Sequence, residues 1–221
     1  MSSPFIRPYV AHDWDDGLNI FFTTIDNSVN FEPARTIGSY IWFKAYVLLT
    51  PNTCFILDDG MGRAVGYVIG TPSTTQLIER WKEVLVPMVD PKLVPKPEIV
   101  TGDAMMERED VKNLRKAVYA ADCNMLQSTP HLLDQYPAHL HINVLPEFQG
   151  NGFGKRLMDT FLGKLQEFGV GGVHLGMVAS NAGARRFYER LGFQLCDGVL
   201  DGGASGELGT QGHAVCLVKR L

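Results

Sequence analysis

The chain reads as an α/β fold, and three observations carry that expectation. Short apolar runs of strand length alternate along it with longer stretches whose apolar spacing is helical. Cys54-Phe55-Ile56-Leu57 and Ala64-Val65-Gly66-Tyr67-Val68-Ile69 flank a polar, glycine-containing turn, the signature of a β-hairpin. A third strand, Ala138 to Leu145, runs through a glycine-rich turn directly into an amphipathic helix. At 221 residues, 45% of them hydrophobic and 20% charged, the chain can build one good core and is short for two.

Taken in order, Phe5 to Tyr9 reads as a first strand, and Asp13 as an N-cap for a helix carrying Trp14, Leu18, Ile20 and Phe21. The hairpin follows. From Thr71 to Tyr136 the character changes: Leu77, Trp81, Leu85 and Met88 form a helical face, four prolines break the chain, and a second helix spans about Val111 to Ala121. This stretch has too few apolar residues for its own core, so residues 1–221 read as one domain with a helical insertion at about 71–136. After the strand at 138–145, Phe153, Leu157, Met158, Phe161, Leu162, Leu165 and Phe168 share one side of a helix that Gly169 is placed to end. Val173–Val178 is a strand, Asn181–Leu191 a helix, and Phe193–Cys196 and Ala214–Val218 two closing strands. Gly198 to Gly212, with six glycines, reads as a mobile loop.

Several function classes recede on composition. A formal charge of −4 disfavours nucleic acid as a partner and suits a cationic one. No stretch has the length and apolarity of a membrane span or the layout of a signal peptide. Four scattered cysteines without a CxxC pair argue against zinc or a disulfide framework and for a reducing compartment, cytoplasmic or nuclear. The six histidines form no HExxH, so no metal is expected.

The turn Gln149-Gly150-Asn151-Gly152-Phe153-Gly154 carries the chemistry. A helix N-terminus offers unpaired N–H groups and partial positive charge, and glycine lets a phosphate approach the backbone. The Walker A pattern fails, because Arg156 follows Gly154-Lys155 and Gln149 stands where the first glycine belongs. The Rossmann pattern is weak, with Lys155 in place of the third glycine. A Gln/Arg-x-x-Gly-x-Gly pattern fits.

That turn, together with Asn181-Ala182-Gly183-Ala184-Arg185-Arg186-Phe187-Tyr188-Glu189-Arg190-Leu191-Gly192-Phe193, resembles the GNAT superfamily of acyl-CoA-dependent acetyltransferases. A narrower likeness covers nearly the whole chain. Gly66 to Gly70, the Trp81 insertion, Tyr136 to Asn143 and Gly172 to Gly176 resemble the acetyltransferase-like C-terminal domain of O-GlcNAcases and its free-standing microbial relatives. In that group an Asp is usual where this chain has Asn143.

The resemblance implies a mixed, mostly antiparallel sheet of six or seven strands with helices on both faces. It also implies acetyl-CoA as co-substrate, with Gln149, Gly150, Asn151, Gly152, Phe153, Gly154 and Lys155 cradling the pyrophosphate and Arg156 beside them. Ile142, Asn143 and Val144 would pair through backbone groups with the pantetheine arm, the Val144 N–H also serving an oxyanion. Asn181 would touch the cofactor, or simply cap its helix. Tyr188 would protonate the departing thiolate. The reaction would be direct attack by an amine, from a small molecule or a protein lysine, in a ternary complex. A catalytically silent module is the alternative that the O-GlcNAcase likeness leaves open.

His139 and His141 are candidate general bases, sharing one strand face while Leu140, Ile142 and Val144 share the other. The stretch resembles the paired-histidine strand of arylalkylamine N-acetyltransferases. Here, however, His141 to Val144 is one residue shorter, which would turn the histidines away from the cofactor unless a bulge restores them. An acidic limb near ~6.5 would report them. His131, Asp134 and Tyr136 are placed to line an acceptor pocket, and Asp134 or Glu107 is the substitute base.

Overall fold

The apolar runs assemble into one seven-stranded sheet in the computed structural model, which describes residues 3–120, 126, 130–196 and 214–221. Strands β1 (Phe5–Pro8), β2 (Phe55–Asp58), β3 (Ala64–Thr71), β4 (Ala138–Val144), β5 (Gly172–Val178), β6 (Gln194–Cys196) and β7 (Ala214–Arg220) lie in the order β1-β2-β3-β4-β5-β7-β6. Every neighbouring pair is antiparallel except β4 and β5. The sheet is therefore mixed and mostly antiparallel, as expected.

Alternation along β3 assigns the two layers. A Cβ on Gly70 would stand 2.7 Å from the Phe161 ring of α8 (Phe153–Glu167), so Gly66, Val68 and Gly70 face that helix. The Tyr67 ring lies 5.5 Å from Phe43, so Val65, Tyr67, Ile69 and Thr71 face the opposite layer. That layer holds α1 (Trp14–Thr24) and a continuous helical stretch of α2 (Ala34–Ser39), a π-helical turn (Tyr40–Lys44) and α3 (Ala45–Leu49). The stretch from Ala34 to Leu49 carries no motif, yet it supplies Phe43 and Tyr46 to the core.

α8 forms where its apolar spacing predicts. Leu157, Met158, Phe161, Leu162 and Leu165 are buried, each contributing about 1.5–3 kcal/mol. Gly169, at φ 70°, ends it in the left-handed conformation.

The stretch from Thr71 to Tyr136 contributes α4 (Thr74–Arg80), a π-helical turn (Trp81–Leu85), α5 (Val86–Met88), α6 (Glu109–Tyr119) and α7 (Pro130–Gln135). Leu77, Trp81, Leu85, Val111, Leu114 and Val118 join the same buried cluster as the sheet. Trp81 Nε1 donates to the Val118 carbonyl at 2.9 Å. The fully buried Arg115 guanidinium donates to the carbonyls of Pro95, Lys96, Ile99 and Met106. The last helix, α9 (Ala182–Arg190), precedes β6. Among the described residues no helix is long and apolar enough to cross a membrane. The glycine-rich segment from Gly198 to Gly212 lies outside the described residues.

Asp13 does not cap α1 with its side chain. Its carboxylate is already taken: Arg7 donates to both oxygens at 2.7 Å, and the Val10 N–H donates at 2.9 Å. Arg7 Nε also reaches Asp58 at 2.8 Å, tying β1 to the end of β2. Burial raises the pKa of each carboxylate, but hydrogen bonds, led by those from Arg7, outweigh it and hold both below the ordinary value. A depressed carboxylate stabilises the fold above ~3.9 and loses that contribution as pH falls through its folded value. Arg7→Met should therefore cost about 3–5 kcal/mol at neutral pH, because it strands two buried carboxylates. It should also flatten the acid limb of the stability profile. Urea denaturation from pH 7 to 2 checks this, and a mutant as stable as the parent at pH 7 would refute it.

Candidate active site

β4 and β5 pair at Ala138↔Val173 and His139↔His174 and then part, although the strands run on to Val144 and Val178. β4 stays bonded to β3 on its other side as far as Val144, and β5 to β7 throughout. The sheet thus opens in a V between two strands that are each held firmly from outside. One cavity lies on each face of the opening.

On the α8 face, a cleft of about 760 Å³ lies between Ile142 and Val144 of β4, the glycine turn, and Phe187, Tyr188 and Leu191 of α9. Gly150 and Gly152 both sit at φ 78°, a region that side chains other than glycine's rarely adopt. A Cβ on either would meet no heavy atom within 4 Å, so the turn presents bare backbone to open space. Gly152 precedes α8 without any side-chain cap. Arg156 N–H bonds back to Gly152 O at 3.2 Å, whereas the first-turn N–H groups of Phe153, Gly154 and Lys155 have no intrahelical acceptor. Gly154 serves packing, since its Cβ would stand 3.3 Å from the Phe187 ring.

The other residues expected at this site divide. Gln149 turns its side chain back to the Val144 carbonyl at 2.8 Å, bracing the open end of β4. Asn151 Nδ2 donates to its own turn, to Gln149 O at 3.0 Å. Lys155 lines the cleft while paired to Asp159 at 2.6 Å. Asn181 caps α9, accepting from Ala184 N–H at 3.0 Å, so its capping role is the one the geometry displays. Asn143 points its side chain to the other face, donating to Thr24 Oγ1 at 2.7 Å. Tyr188 lines the cleft, and burial raises the pKa of its hydroxyl far above the ordinary value, keeping it a proton donor.

On the opposite face, a cavity of about 180 Å³ is enclosed by Phe21, Thr24, Ile25, Asp26, Val29, Trp42 and Met177, with His141 and Asn143 on β4. The registers Ile69↔His141 and Thr71↔His139 put both histidines on this side, with no shift recorded between β3 and β4. No bulge restores them to the α8 face; a cavity waits on the face to which alternation sends them. The two residues differ. His141 lines the cavity, whereas His139 is 1% exposed and locked between Tyr46 and Thr74. Of the two expected bases, only His141 reaches the cavity.

Tyr46 is the residue that sequence reasoning missed. Its hydroxyl lies 2.8 Å from His139 Nε2 and 3.1 Å from His141 Nε2. It sits in α3 directly after the π-helical turn, a distortion often found at functional sites. His131, Asp134 and Tyr136 are not among the lining residues of this cavity. Tyr136 instead packs beside Leu133 and accepts from His174 Nδ1 at 2.7 Å. Glu107 lines neither cavity, and its carboxylate accepts from the Thr101 N–H and hydroxyl.

Comparison with known proteins converges on one family. The model of the acetyltransferase (GNAT) family matches residues 123–193. The crystal structure of SsHAT aligns over 99% of this chain and 98% of that one, with 32% identity and a TM-score of 0.78. A ribosomal protein bS18-alanine N-acetyltransferase of Haemophilus influenzae is 42% identical over 57 residues, 26% of this chain. That match spans 38% of the relative's length. A phosphinothricin acetyltransferase from Sinorhizobium meliloti, solved with AcCoA, shares the fold at 14% identity and a TM-score of 0.55, over 100% of this chain and 89% of that one.

Burial lowers the pKa of His141 to about 4, and burial, with the neighbouring His174 and His141, lowers that of His139 well below the ordinary value. Both rings are neutral at physiological pH, so an acidic limb due to His141 belongs near 4 rather than near ~6.5. Between these values the unfolded chain binds more protons, so stability rises with pH across that window. A ¹H–¹³C titration of the His141 ring should show a midpoint near 4. A midpoint near ~6.5 would show that the ring is not desolvated where it meets the cavity.

Proposed function

The chain belongs to the acetyltransferase (GNAT) family, and from that premise we propose that it transfers the acetyl group of acetyl-CoA to a compact primary amine by direct attack in a ternary complex. One observation carries the reading: two cavities on opposite faces of the sheet share β4, where it parts from β5. A co-substrate held in one and an acceptor in the other can meet only through that opening.

The cleft residues fit acetyl-CoA. Unpaired N–H groups at the start of α8 and the two left-handed glycines suit a pyrophosphate. Ile142 and Val144 flank the path from there to the opening. When bound, acetyl-CoA supplies an activated acyl group on a thiol leaving group. Tyr188 holds a proton for that thiolate, which leaves tolerably at its pKa of ~8.5. His141 faces the acceptor side as a neutral base. A lysine-like amine, pKa ~10.4, is neutral in about one molecule in 2,500 at pH 7, a deficit of ~4.6 kcal/mol. His141 is placed to accept the proton shed as the C–N bond forms.

The acceptor cavity is small and largely apolar, with Asp26 as its carboxylate. That lining favours a compact amine over an extended peptide. Two candidate proton-transfer residues at the opening favour an enzyme over a silent module. The finer kinship, with the acetyltransferase-like domain of O-GlcNAcases, is likewise proposed, on the segments quoted from the sequence.

Gly152→Val forces a β-branched side chain into the left-handed region at the cofactor turn. Calorimetric titration should show acetyl-CoA binding lost in a mutant whose circular dichroism remains native, and undiminished affinity would remove the turn from the site. Thiol release from acetyl-CoA should be faster with compact apolar amines than with lysine peptides. The reverse order, or no release with any amine, would overturn the proposed acceptor.

A further inference from the structure

A chain of short contacts runs from the acceptor cavity into the core. His141 Nε2 lies 3.1 Å from the Tyr46 hydroxyl, and that hydroxyl lies 2.8 Å from His139 Nε2. His139 Nδ1 lies 2.7 Å from Thr74 Oγ1, and Thr74 Oγ1 lies 2.8 Å from the Pro137 carbonyl. Four contacts need four protons, and two neutral imidazoles, one phenol and one threonine supply four.

Only one direction places one proton in each contact. A carbonyl can only accept, so the Thr74 hydroxyl must donate to Pro137 O. His139 Nδ1 then has to carry a proton for Thr74 Oγ1, which leaves His139 Nε2 a bare acceptor. The Tyr46 hydroxyl donates to that nitrogen, and its oxygen accepts from His141 Nε2–H. The reverse direction leaves Thr74 Oγ1 and Pro137 O facing each other at 2.8 Å with no proton between them.

We infer that Tyr46, His139 and Thr74 are positioning residues that fix His141 in the Nε2–H tautomer, so that Nδ1 bears the lone pair that takes the acceptor's proton. The inference rests on the proposed role of His141 as base. It gives His139 a different task from catalysis: passing the orientation imposed at Thr74 to a ring it does not touch. The interacting positions are far apart in sequence, Tyr46 being 93 residues from His139 and 95 from His141.

Thr74→Val tests this at the far end of the chain, at a residue that lines neither cavity. Without Oγ1, a proton on His139 Nδ1 would be a buried donor without an acceptor, so the chain should reverse. Long-range ¹H–¹⁵N spectra of histidine-labelled protein should show His141 as Nε2–H in the wild type and as Nδ1–H in Thr74→Val. Thr74→Ser should restore the wild-type pattern. Turnover should fall about 10²-fold in Thr74→Val, the low end of a general base's contribution, with the affinity for acetyl-CoA unchanged. Should Thr74→Val fail to fold, Tyr46→Phe severs the chain and should give His141 as mixed tautomers. His141 carrying its proton on Nδ1 in the wild type, or keeping its tautomer in a folded Thr74→Val, would overturn the inference. The spectra require no turnover, so a failure of acetyl transfer would be seen separately.

Discussion

The parting of β4 from β5 is the constraint on which the rest depends. Inside a sheet, an opened edge normally leaves backbone donors and acceptors without partners, at a cost of about 1–3 kcal/mol for each one buried. Each strand is bonded firmly on its outer side, which fixes its position while the groups facing the opening stay without a strand partner. β3 follows β4 through Val144, β7 follows β5 through Val178, and the Gln149 side chain takes the Val144 carbonyl. The opening therefore has two supported rims, and a ligand's own backbone-like groups can complete it.

Strand alternation then divides the labour. The side chains of Ile142 and Val144 turn to the α8 face, where the glycine turn and α9 complete the larger cleft. Those of His141 and Asn143 turn the other way, where α1, the residues after it and Trp42 complete the smaller cavity. A shift of one residue would exchange the two sets, and the β3 register fixes that it does not occur. The histidines' distance from the cofactor side is thus a consequence of the strand's period, and it suits a reaction in which the two substrates approach from opposite sides.

Legibility in the sequence followed the range of the interactions. The strand, glycine turn and helix from Ala138 to Glu167 are encoded locally, in alternation, backbone freedom and helical spacing, and they are readable as elements for that reason. The hairpin of β2 and β3 was readable for the same reason. Asp13 is misleading in the sequence because its carboxylate serves Arg7, a partner only six residues away whose own position is set by the tertiary bond to Asp58. Tyr46 and Thr74 carry no motif, and only the fold brings them to the β4 histidines. His139 is buried while His141 opens onto the cavity, a tertiary difference that strand alternation alone does not show.

One co-substrate, in this proposal, spans the glycine turn and the opened edge of β4. Amide hydrogen exchange with and without acetyl-CoA reads both at once. Exchange should slow at the amides of residues 150–155 together with those of 142–144, with little change at residues 25–29 beside the acceptor cavity. Slowing confined to residues 25–29 and their neighbours, or absent from the glycine turn, would contradict it.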